Sequence, residues 1–283
     1  MKRNKIVNAF MLSVLIGFFA CNDNKSSGDK PADAKETTME KPVIKEEKVN
    51  YAADSINMIG YVSYDSASTK KRPVVLVVHE WWGINDYTRS RINQLAELGY
   101  LAMAIDMYGN GATADDPGKA GELATPFYKD PKMAKARFDA AVAKIKTYAI
   151  ADTTQIAAIG YCFGGAQVIN MAKLGEDLKG VVSFHGNLMV MPADKNLLKA
   201  PILVCHGDDD KFVPAEEVAA FKKQMDSIGA NYTFKSYAGA THAFTNPYST
   251  EKGKKFNLPI AYNAAADSAS WKDMKDFFGK IFK

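Results

Sequence analysis

The stretch that decides the fold is Gly160-Tyr161-Cys162-Phe163-Gly164-Gly165, where glycines surround a cysteine. An apolar run over residues 156–159 precedes it, and a helix-compatible run over residues 166–172 follows it. A strand, a sharp turn that carries a nucleophile and a helix make up a nucleophile elbow, here with cysteine instead of serine. Glycines suit such a turn because they have no Cβ where strand and helix approach closely. The pattern predicts a reactive Cys162 at a helix N-terminus, where the helix dipole favours a thiolate.

A buried structural cysteine in a glycine-rich turn would show a similar short pattern, so residues downstream must distinguish the two interpretations. After an elbow, a catalytic acid and then a histidine are expected in chain order. An apolar run over 202–205 is followed by acids at 208–210, and a strand-like run over 232–237 is followed by His242. The sequence therefore predicts carboxylates and an imidazole at the carboxyl edge of a sheet. There His242 could take the thiol proton while an acid orients its ring.

Further motifs accompany the elbow along the chain. They are Val78-His79-Glu80-Trp81-Trp82-Gly83, Asp106-Met107-Tyr108-Gly109, Asp210-Lys211-Phe212-Val213-Pro214 and Gly239-Ala240-Thr241-His242-Ala243-Phe244. Together with the elbow they resemble the motifs of the dienelactone hydrolase family, the cysteine branch of the α/β-hydrolases. The resemblance runs from about Ser55 to the C-terminus. It implies a single doubly wound, mostly parallel sheet of the α/β-hydrolase type, and the activity of a carboxylic ester or lactone hydrolase.

The resemblance also implies roles for individual residues. Cys162 corresponds to the nucleophile, Asp210 to the acid and His242 to the base. Asp208 and Asp209 are rivals to Asp210, because spacing alone does not rank three consecutive acids. Only the match to Asp-x-Phe-Val-Pro selects Asp210, and a solvated turn is the interpretation we favour for the other two.

A glutamate follows the first strand predicted for the main sheet. The run over residues 73–78 is apolar throughout, as expected for a central parallel strand that is covered on both faces. Glu80 comes directly after it, and in the family that the chain resembles a glutamate here hydrogen-bonds the resting thiol and helps to form the thiolate. An ordinary solvated carboxylate is the alternative. The same resemblance implies an oxyanion hole made by the backbone N–H groups of Trp81 and Phe163.

The chain departs from the family in the residues that would hold a charged substrate. Members that open dienelactone use arginines to bind its carboxylate, one of them shortly after the catalytic histidine. Asn246 stands at that place here, and residues 118–128, where a second arginine would be expected, contain none. Lys119 is the nearest cation in that segment, and Arg89 is another candidate. We therefore expect neutral esters or uncharged lactones to be preferred, since an amide cannot replace a bidentate guanidinium.

Three other histidines follow predicted strands. His79, His185 and His206 could gather with Glu80 and Asp208 as metal ligands. No HxxH or HExxH spacing supports such a site, and strand ends converge at one edge in any fold of this kind. We expect these histidines to bond locally or to line the cleft, and we expect no metal and no cofactor.

Composition is compatible with one enzyme domain. The chain has 283 residues, of which 47% are hydrophobic, and this is enough for one substantial core. The net charge of +4 comes largely from the extreme N-terminus, and no basic patch carries interleaved aromatic residues. Nucleic acid is therefore not expected as a partner. Cys205 lies in an apolar strand pattern and is predicted to be a core residue, so no disulfide is expected.

The N-terminus predicts export to the cell envelope of a bacterium. Residues 1–20 combine a basic start with an apolar segment too short to span a membrane comfortably, as in a signal peptide. Cys21 follows Ala20 and is predicted to be lipidated, although plain cleavage after Ala20 is the alternative. Residues 21–50 are rich in charged and small polar residues and predict a disordered tether before a domain at 51–283. The predicted partners are a small ester or lactone substrate and a membrane reached through the lipid anchor.

The remaining patterns alternate between strands and helices. Strands are predicted over 57–64, 73–78 and 100–105, in the elbow strand, and in runs that begin at Val181, Ile202 and Tyr232. Helices are predicted from an Asp86 cap to Gly99, from Pro131 through Ile145, over 215–228 and over 264–282. This alternation favours a parallel sheet with helices on both faces.

The sequence thus predicts an exported hydrolase that cleaves an ester or lactone through a cysteine acyl-enzyme. Two alternatives have the same fold: a peptidase or carbohydrate esterase of the cell envelope, and a non-catalytic binding lipoprotein. The complete and correctly ordered triad pattern argues against the binding protein.

Overall fold

Residues 41–283 are described by the structure, a computed structural model, and their strands form one sheet with the order β1-β2-β4-β3-β5-β6-β7-β8. The strands are β1 Ile44–Ala53, β2 Ile56–Asp65, β3 Arg72–Val78, β4 Leu101–Ile105, β5 Ala151–Tyr161, β6 Val181–Phe184, β7 Ile202–Gly207 and β8 Tyr232–Tyr237. Strands β3 to β8 pair in parallel, whereas β2 pairs antiparallel with both β1 and β4. The predicted mostly parallel sheet is confirmed.

Helices pack on both faces of this sheet, because its central strands are apolar on both sides. The helices are α1 Asp86–Glu97, α2 Pro117–Lys129, α3 Pro131–Ile145, α4 Phe163–Lys173, α5 Ala215–Ser227, α6 Ser249–Phe256 and α7 Ala264–Ile281. In β3, Val74 and Leu76 enter the core cluster that contains residues of α3 and α4, while Val75 and Val77 enter the cluster under α1 and α7. The uninterrupted apolar run therefore reflects burial of both faces.

The folded region begins earlier than the sequence predicted. Residues 44–50, assigned to the disordered tether, belong to β1, which pairs with β2 along its whole length. Only Val49 and Ala53 of β1 are buried, so hydrophobic periodicity gives little sign of this edge strand. Its acids are paired instead: Glu46 accepts hydrogen bonds from Arg89, and Glu47 accepts one from the Tyr148 hydroxyl at 2.6 Å. Residues 21–40 of the predicted tether, which include Cys21, and the signal peptide lie outside the described residues.

Some helices differ from the predicted ones. The cap of α1 is Asn85, whose side chain accepts a hydrogen bond from the Thr88 N–H, and Asp86 is the first helical residue. Helices α2 and α6 were not predicted, because α2 contains Pro126 and α6 has only 8 residues. Among residues 41–283, no helix is both long enough and apolar enough to span a membrane.

Candidate active site

The nucleophile candidate sits in a strained turn between β5 and α4. Cys162 has φ 53° and ψ −115°, a backbone conformation that non-glycine residues rarely adopt. A Cβ at Gly160 would overlap the backbone of Gly164, and a Cβ at Gly164 would overlap the carbonyl of Val78. Both glycines are therefore required for helix α4 to approach the sheet. The turn leaves the Cys162 side chain half-buried and facing a cavity.

An acid and a histidine meet across two loops. The Nδ1 of His242, on the loop after β8, lies 2.8 Å from Oδ2 of Asp210, on the loop after β7. The other oxygen of Asp210 accepts the backbone N–H groups of Phe212 and Val213 at 2.8 and 3.2 Å. Asp210 is 5% exposed, whereas Asp208 and Asp209 are exposed to solvent. Of the three consecutive acids, Asp210 is thus the one that bonds His242.

The environment of His242 favours its protonated form. Burial by itself opposes the charge, but the neighbouring Cys162 and the bond to Asp210 outweigh it and raise the pKa of His242 well above its usual value. Because Asp210 occupies Nδ1, Nε2 is the ring nitrogen left for the thiol and the substrate. The ring is also fixed by packing: its centroid lies 4.9 Å from that of Phe212 and 5.2 Å from that of His185.

Cys162 and His242 open onto the same apolar cavity of about 240 Å³. Its wall consists mainly of apolar and aromatic side chains, and no lysine or arginine of residues 41–283 lines it. The lining residues are Glu80, Trp81, Trp82, Gly121, Ala124, Thr125, Tyr128, Cys162, Asn187, Phe212, His242, Ala243 and Ile260. The two cations considered as substitutes are engaged elsewhere. Lys119 pairs with Glu122 at 2.9 Å on the surface, and Arg89 bonds Glu46 of β1.

Glu80 lies just beyond the end of β3 and is only 2% exposed. Its Oε2 accepts a hydrogen bond of 2.6 Å from Nδ2 of Asn246, and the Asn246 Oδ1 accepts the Tyr248 N–H at 2.9 Å. No salt bridge to Glu80 occurs within residues 41–283. Burial raises the pKa of Glu80, and the Asn246 bond and the more distant Lys252 only partly oppose this. The residue at the expected arginine position therefore holds Glu80 with a neutral amide.

Of the two predicted oxyanion donors, Trp81 lines the cavity and Phe163 directly follows Cys162, which also lines it. Phe163 is the first residue of α4, so its N–H has no acceptor in the preceding turn of the helix. Trp81 follows Glu80, and its carbonyl accepts the hydroxyl of Tyr108 at 2.9 Å, which fixes the loop after β3. Neither the Trp81 nor the Phe163 N–H donates to any residue in the described part of the chain. Within residues 41–283, both N–H groups are therefore without a protein acceptor.

A model of the dienelactone hydrolase family matches residues 58–282. The chain belongs to the dienelactone hydrolase family. It is similar to Protein usf of Aquifex pyrophilus, with 29% identity over 70% of this chain and 86% of that protein. Among solved structures it is similar to a dienelactone hydrolase-like promiscuous phosphotriesterase from metagenomic libraries, with a TM-score of 0.80, 31% identity, and coverage of 85% of this chain and 99% of the other. It is also similar to the protein m3DLH, with a TM-score of 0.79, 29% identity, and coverage of 85% and 99%. These similarities establish an ester or lactone hydrolase.

Sequence patterns did not reveal a buried hydrogen-bond network behind Cys162. The Cys162 N–H donates to the Phe184 carbonyl at 2.9 Å and also to Nδ1 of His185 at 3.1 Å, while Nε2 of His185 lies 2.8 Å from Oγ1 of Thr245. Oγ1 of Thr245 lies 2.6 Å from the Tyr87 hydroxyl. The backbone carbonyl of Thr245 accepts a hydrogen bond of 2.7 Å from the Arg91 guanidinium. Burial, with help from the charge of His242, holds the pKa of His185 well below its usual value. A neutral His185 therefore supports the backbone of the elbow.

The other two histidines also serve local contacts. His79 donates from Nδ1 to the Glu80 carbonyl at 2.5 Å, while its Nε2 accepts the Met107 N–H at 3.4 Å. His206 packs its ring against Phe234 with centroids 5.5 Å apart. Within residues 41–283, no three histidine, cysteine or acidic side chains are placed to hold a metal ion.

Proposed function

We propose that this hydrolase cleaves carboxylic esters or lactones through a covalent thioester on Cys162. The observation that carries the proposal is the shared cavity, in which Cys162 faces a buried His242 that is held by Asp210 at 2.8 Å. In this assignment Cys162 is the nucleophile, His242 is the general base and acid, and Asp210 fixes the tautomer of the imidazole.

The reaction follows from the positions of these groups. The Cys162 thiolate attacks the carbonyl carbon, and the N–H groups of Trp81 and Phe163 bind the oxygen that becomes negative. Collapse of this intermediate breaks the ester C–O bond, while His242 gives its proton to the departing alcohol oxygen. His242 then takes a proton from water, which attacks the thioester and releases the acid. Esters suit this chemistry better than amides, because a thiolate leaves more readily than an amine anion.

Glu80 is assigned a supporting role in forming the thiolate. It lines the same cavity as Cys162, and burial raises its pKa, so its carboxylate binds a proton more readily than an exposed one would. It can therefore receive the thiol proton when substrate displaces water from the cavity. Asn246 keeps the carboxyl group in place without neutralising it by a positive charge.

We further propose that the substrate is uncharged. A carboxylate in the cavity would meet Glu80 and no lysine or arginine. Short neutral esters and uncharged lactones should therefore show a higher kcat/KM than carboxylated dienelactone, by roughly ten-fold or more, since a charge-assisted contact is missing. A preference for the carboxylated lactone in the same assay would contradict this and would require another cation in the site.

Export is the remaining part of the proposal. The basic start, the apolar segment and Cys21 of the sequence support a signal peptide and a lipid anchor in a bacterial envelope. Such an anchor would be the protein's contact with the membrane, and the following charged segment would hold the hydrolase domain away from its surface.

The covalent step can be tested with 4-nitrophenyl acetate. Rapid mixing should release a burst of nitrophenol that matches the enzyme concentration, and mass spectrometry of the quenched protein should find the acetyl group on Cys162. Cys205 provides an internal control, since it is buried and burial raises its pKa to about 12. Hydrolysis without any acetylated Cys162, or an acetyl group on Cys205, would contradict the proposal.

A further inference from the structure

A second cavity of about 350 Å³ adjoins the catalytic one. Tyr128 and Asn187 line both cavities, so the two spaces meet at these side chains. The Tyr128 hydroxyl donates to Oδ1 of Asn187 at 3.3 Å, and Nδ2 of Asn187 donates to the Phe212 carbonyl at 3.2 Å. Asn187 therefore stands between α2 and the loop after β7 and forms the boundary between the cavities.

Phe212 links the imidazole of His242 to the boundary between the two cavities. His242 has to protonate the alcohol oxygen, so this part of the substrate lies beside the imidazole. The Phe212 ring packs on His242 with centroids 4.9 Å apart, and the Phe212 carbonyl holds Asn187. An alcohol that extends past Phe212 thus reaches Asn187 and the second cavity.

The walls of the second cavity combine apolar surface with one acceptor. Met189, which is 39% exposed, and Val190 provide the apolar part. One oxygen of Glu217 accepts the Leu188 N–H at 2.6 Å, and the other has no hydrogen-bond partner among the described residues. The cavity can therefore bind an alkyl chain and, next to it, one hydrogen-bond donor.

A buried lysine determines which kind of donor suits Glu217. The Lys173 Nζ donates to the carbonyls of Leu188 and Met191 at 3.2 and 2.7 Å. Burial lowers the pKa of Lys173 to about 8, and the nearby Glu217 opposes this by favouring the ammonium form. Because this ammonium already compensates part of the carboxylate charge, a neutral hydroxyl suits the free oxygen better than a second cation.

We propose that the second cavity binds the alcohol part of the substrate and selects alcohols whose alkyl chain carries a hydroxyl group that donates to Glu217. This inference rests on the proposed ester hydrolysis and specifies one half of the substrate. Glu217 acts here as a specificity residue and takes no part in the bond changes.

The test compares acetates of butanol, hexanol and octanol with the corresponding acetates that carry a hydroxyl at the far end of the chain. For at least one chain length, the hydroxylated ester should have a kcat/KM about ten-fold higher than the plain ester, as expected for a hydrogen bond to a charged group. Glu217→Gln should lower this ratio several-fold, because the hydroxyl would then meet a neutral amide instead of a carboxylate oxygen. Glu216→Gln is the matched control, since Glu216 does not line the second cavity, and it should keep the ratio.

Val190→Trp gives an independent check, because an indole there should fill the cavity and lower kcat/KM for octyl acetate relative to ethyl acetate. Equal losses of kcat/KM for plain and hydroxylated esters in Glu217→Gln would show that Glu217 has only a structural role, and would overturn the inference. The absence of any preference for hydroxylated esters in the wild type would overturn it as well. Failure of the wild type to hydrolyse 4-nitrophenyl acetate would instead overturn the proposed function itself.

Discussion

At the scale of single residues, the site depends on two hydrogen-bonded pairs that are remote in sequence. His242 bonds Asp210, and Asn246 bonds Glu80 across 166 positions of the chain. The first pair orients the imidazole toward the thiol. In the second pair, burial raises the pKa of Glu80, and the Asn246 amide opposes this less than a guanidinium would.

Substitutions in the proposed triad should show that its members act together. Cys162→Ala and His242→Ala should each lower kcat by roughly a thousand-fold or more, and the double variant should lose little beyond either single one. Asp210→Asn should also lower kcat strongly, because the amide would misplace the imidazole proton.

Asp208→Asn and Asp209→Asn are the matched controls for this series, since both side chains are exposed and lie next to Asp210. Steady-state kinetics on one aryl ester would compare all of these variants. A harmless Asp210→Asn beside a damaging change at either neighbour would show that the acid is wrongly assigned.

The protonation of His242 offers a second prediction at this scale. Because its pKa is raised well above the usual value, the ring should keep its proton at neutral pH and lose it only at a higher pH. Cys162→Ala should move the midpoint to lower pH, since Cys162 raises the pKa more than any other single neighbour. The Cε1–H resonance of His242, followed by NMR against pH, gives the midpoint directly.

His185 is the internal reference for that titration, because its pKa is held well below the usual value and its ring should stay neutral at pH 7. An identical titration midpoint for His242 in the wild type and in Cys162→Ala would mean that Cys162 has no electrostatic effect on the pKa of the ring.

At the scale of elements, the junction of β5 and α4 is the tightest contact near the site. The helix begins one residue after Cys162 and packs on β3, β5 and β6. Its first turn comes so close to the sheet that backbone atoms occupy the places where side chains would start at Gly160 and Gly164. The strain at Cys162 is therefore held by surrounding packing.

Gly160→Ala should destabilise the protein by about 1–3 kcal/mol or more, because its Cβ would meet backbone that cannot rotate away. Gly279→Ala is the matched control: this glycine lies in α7 with open space where the alanine methyl group would lie, so the change should be neutral or stabilising by up to about 1 kcal/mol. The free energy of unfolding from denaturant titration measures both effects. Equal stabilities for the two variants would mean that the elbow can relax around the added methyl group.

At the scale of the whole molecule, the sheet gathers the loops after β3, β5, β7 and β8 at one edge. Those loops carry Glu80, Cys162, Asp210 and His242, respectively. The antiparallel pair β1 and β2 extends the sheet at the opposite margin from β8. The first strand of the described domain is therefore an edge strand, and the site lies where the parallel strands end.

The predicted anchor is tested at this scale as well. Cys21→Ser should block lipidation and move the protein from the membrane fraction to the soluble envelope fraction, while kcat/KM of the released domain stays the same. Fractionation with immunoblotting and mass spectrometry of the mature N-terminus would measure this. An unchanged membrane fraction, or a wild-type Cys21 without acyl groups, would leave an ordinary exported enzyme.

The sequence by itself determined the features that depend on local chain geometry. The glycines of the elbow at 160–165 predict a strand, a sharp turn and a helix, since no other residue type allows the strand and the helix to approach so closely. The apolar run at 73–78 predicted a strand covered on both faces, and the alternation of strands and helices predicted a mostly parallel sheet. From these local signals, with the family resemblance, the residues around the cavity could be named.

Only the tertiary structure decided which of those residues meet. Spacing could not separate Asp210 from its two neighbours, because their exposure depends on how the loop after β7 folds against His242. The partner of Glu80 and the support of Cys162 by His185 are contacts between distant segments, which no short pattern encodes. Strand β1 was not predicted for the same reason. It is stabilised by backbone hydrogen bonds to β2 and by contacts between its acids and remote side chains, while its own sequence contributes little apolar surface.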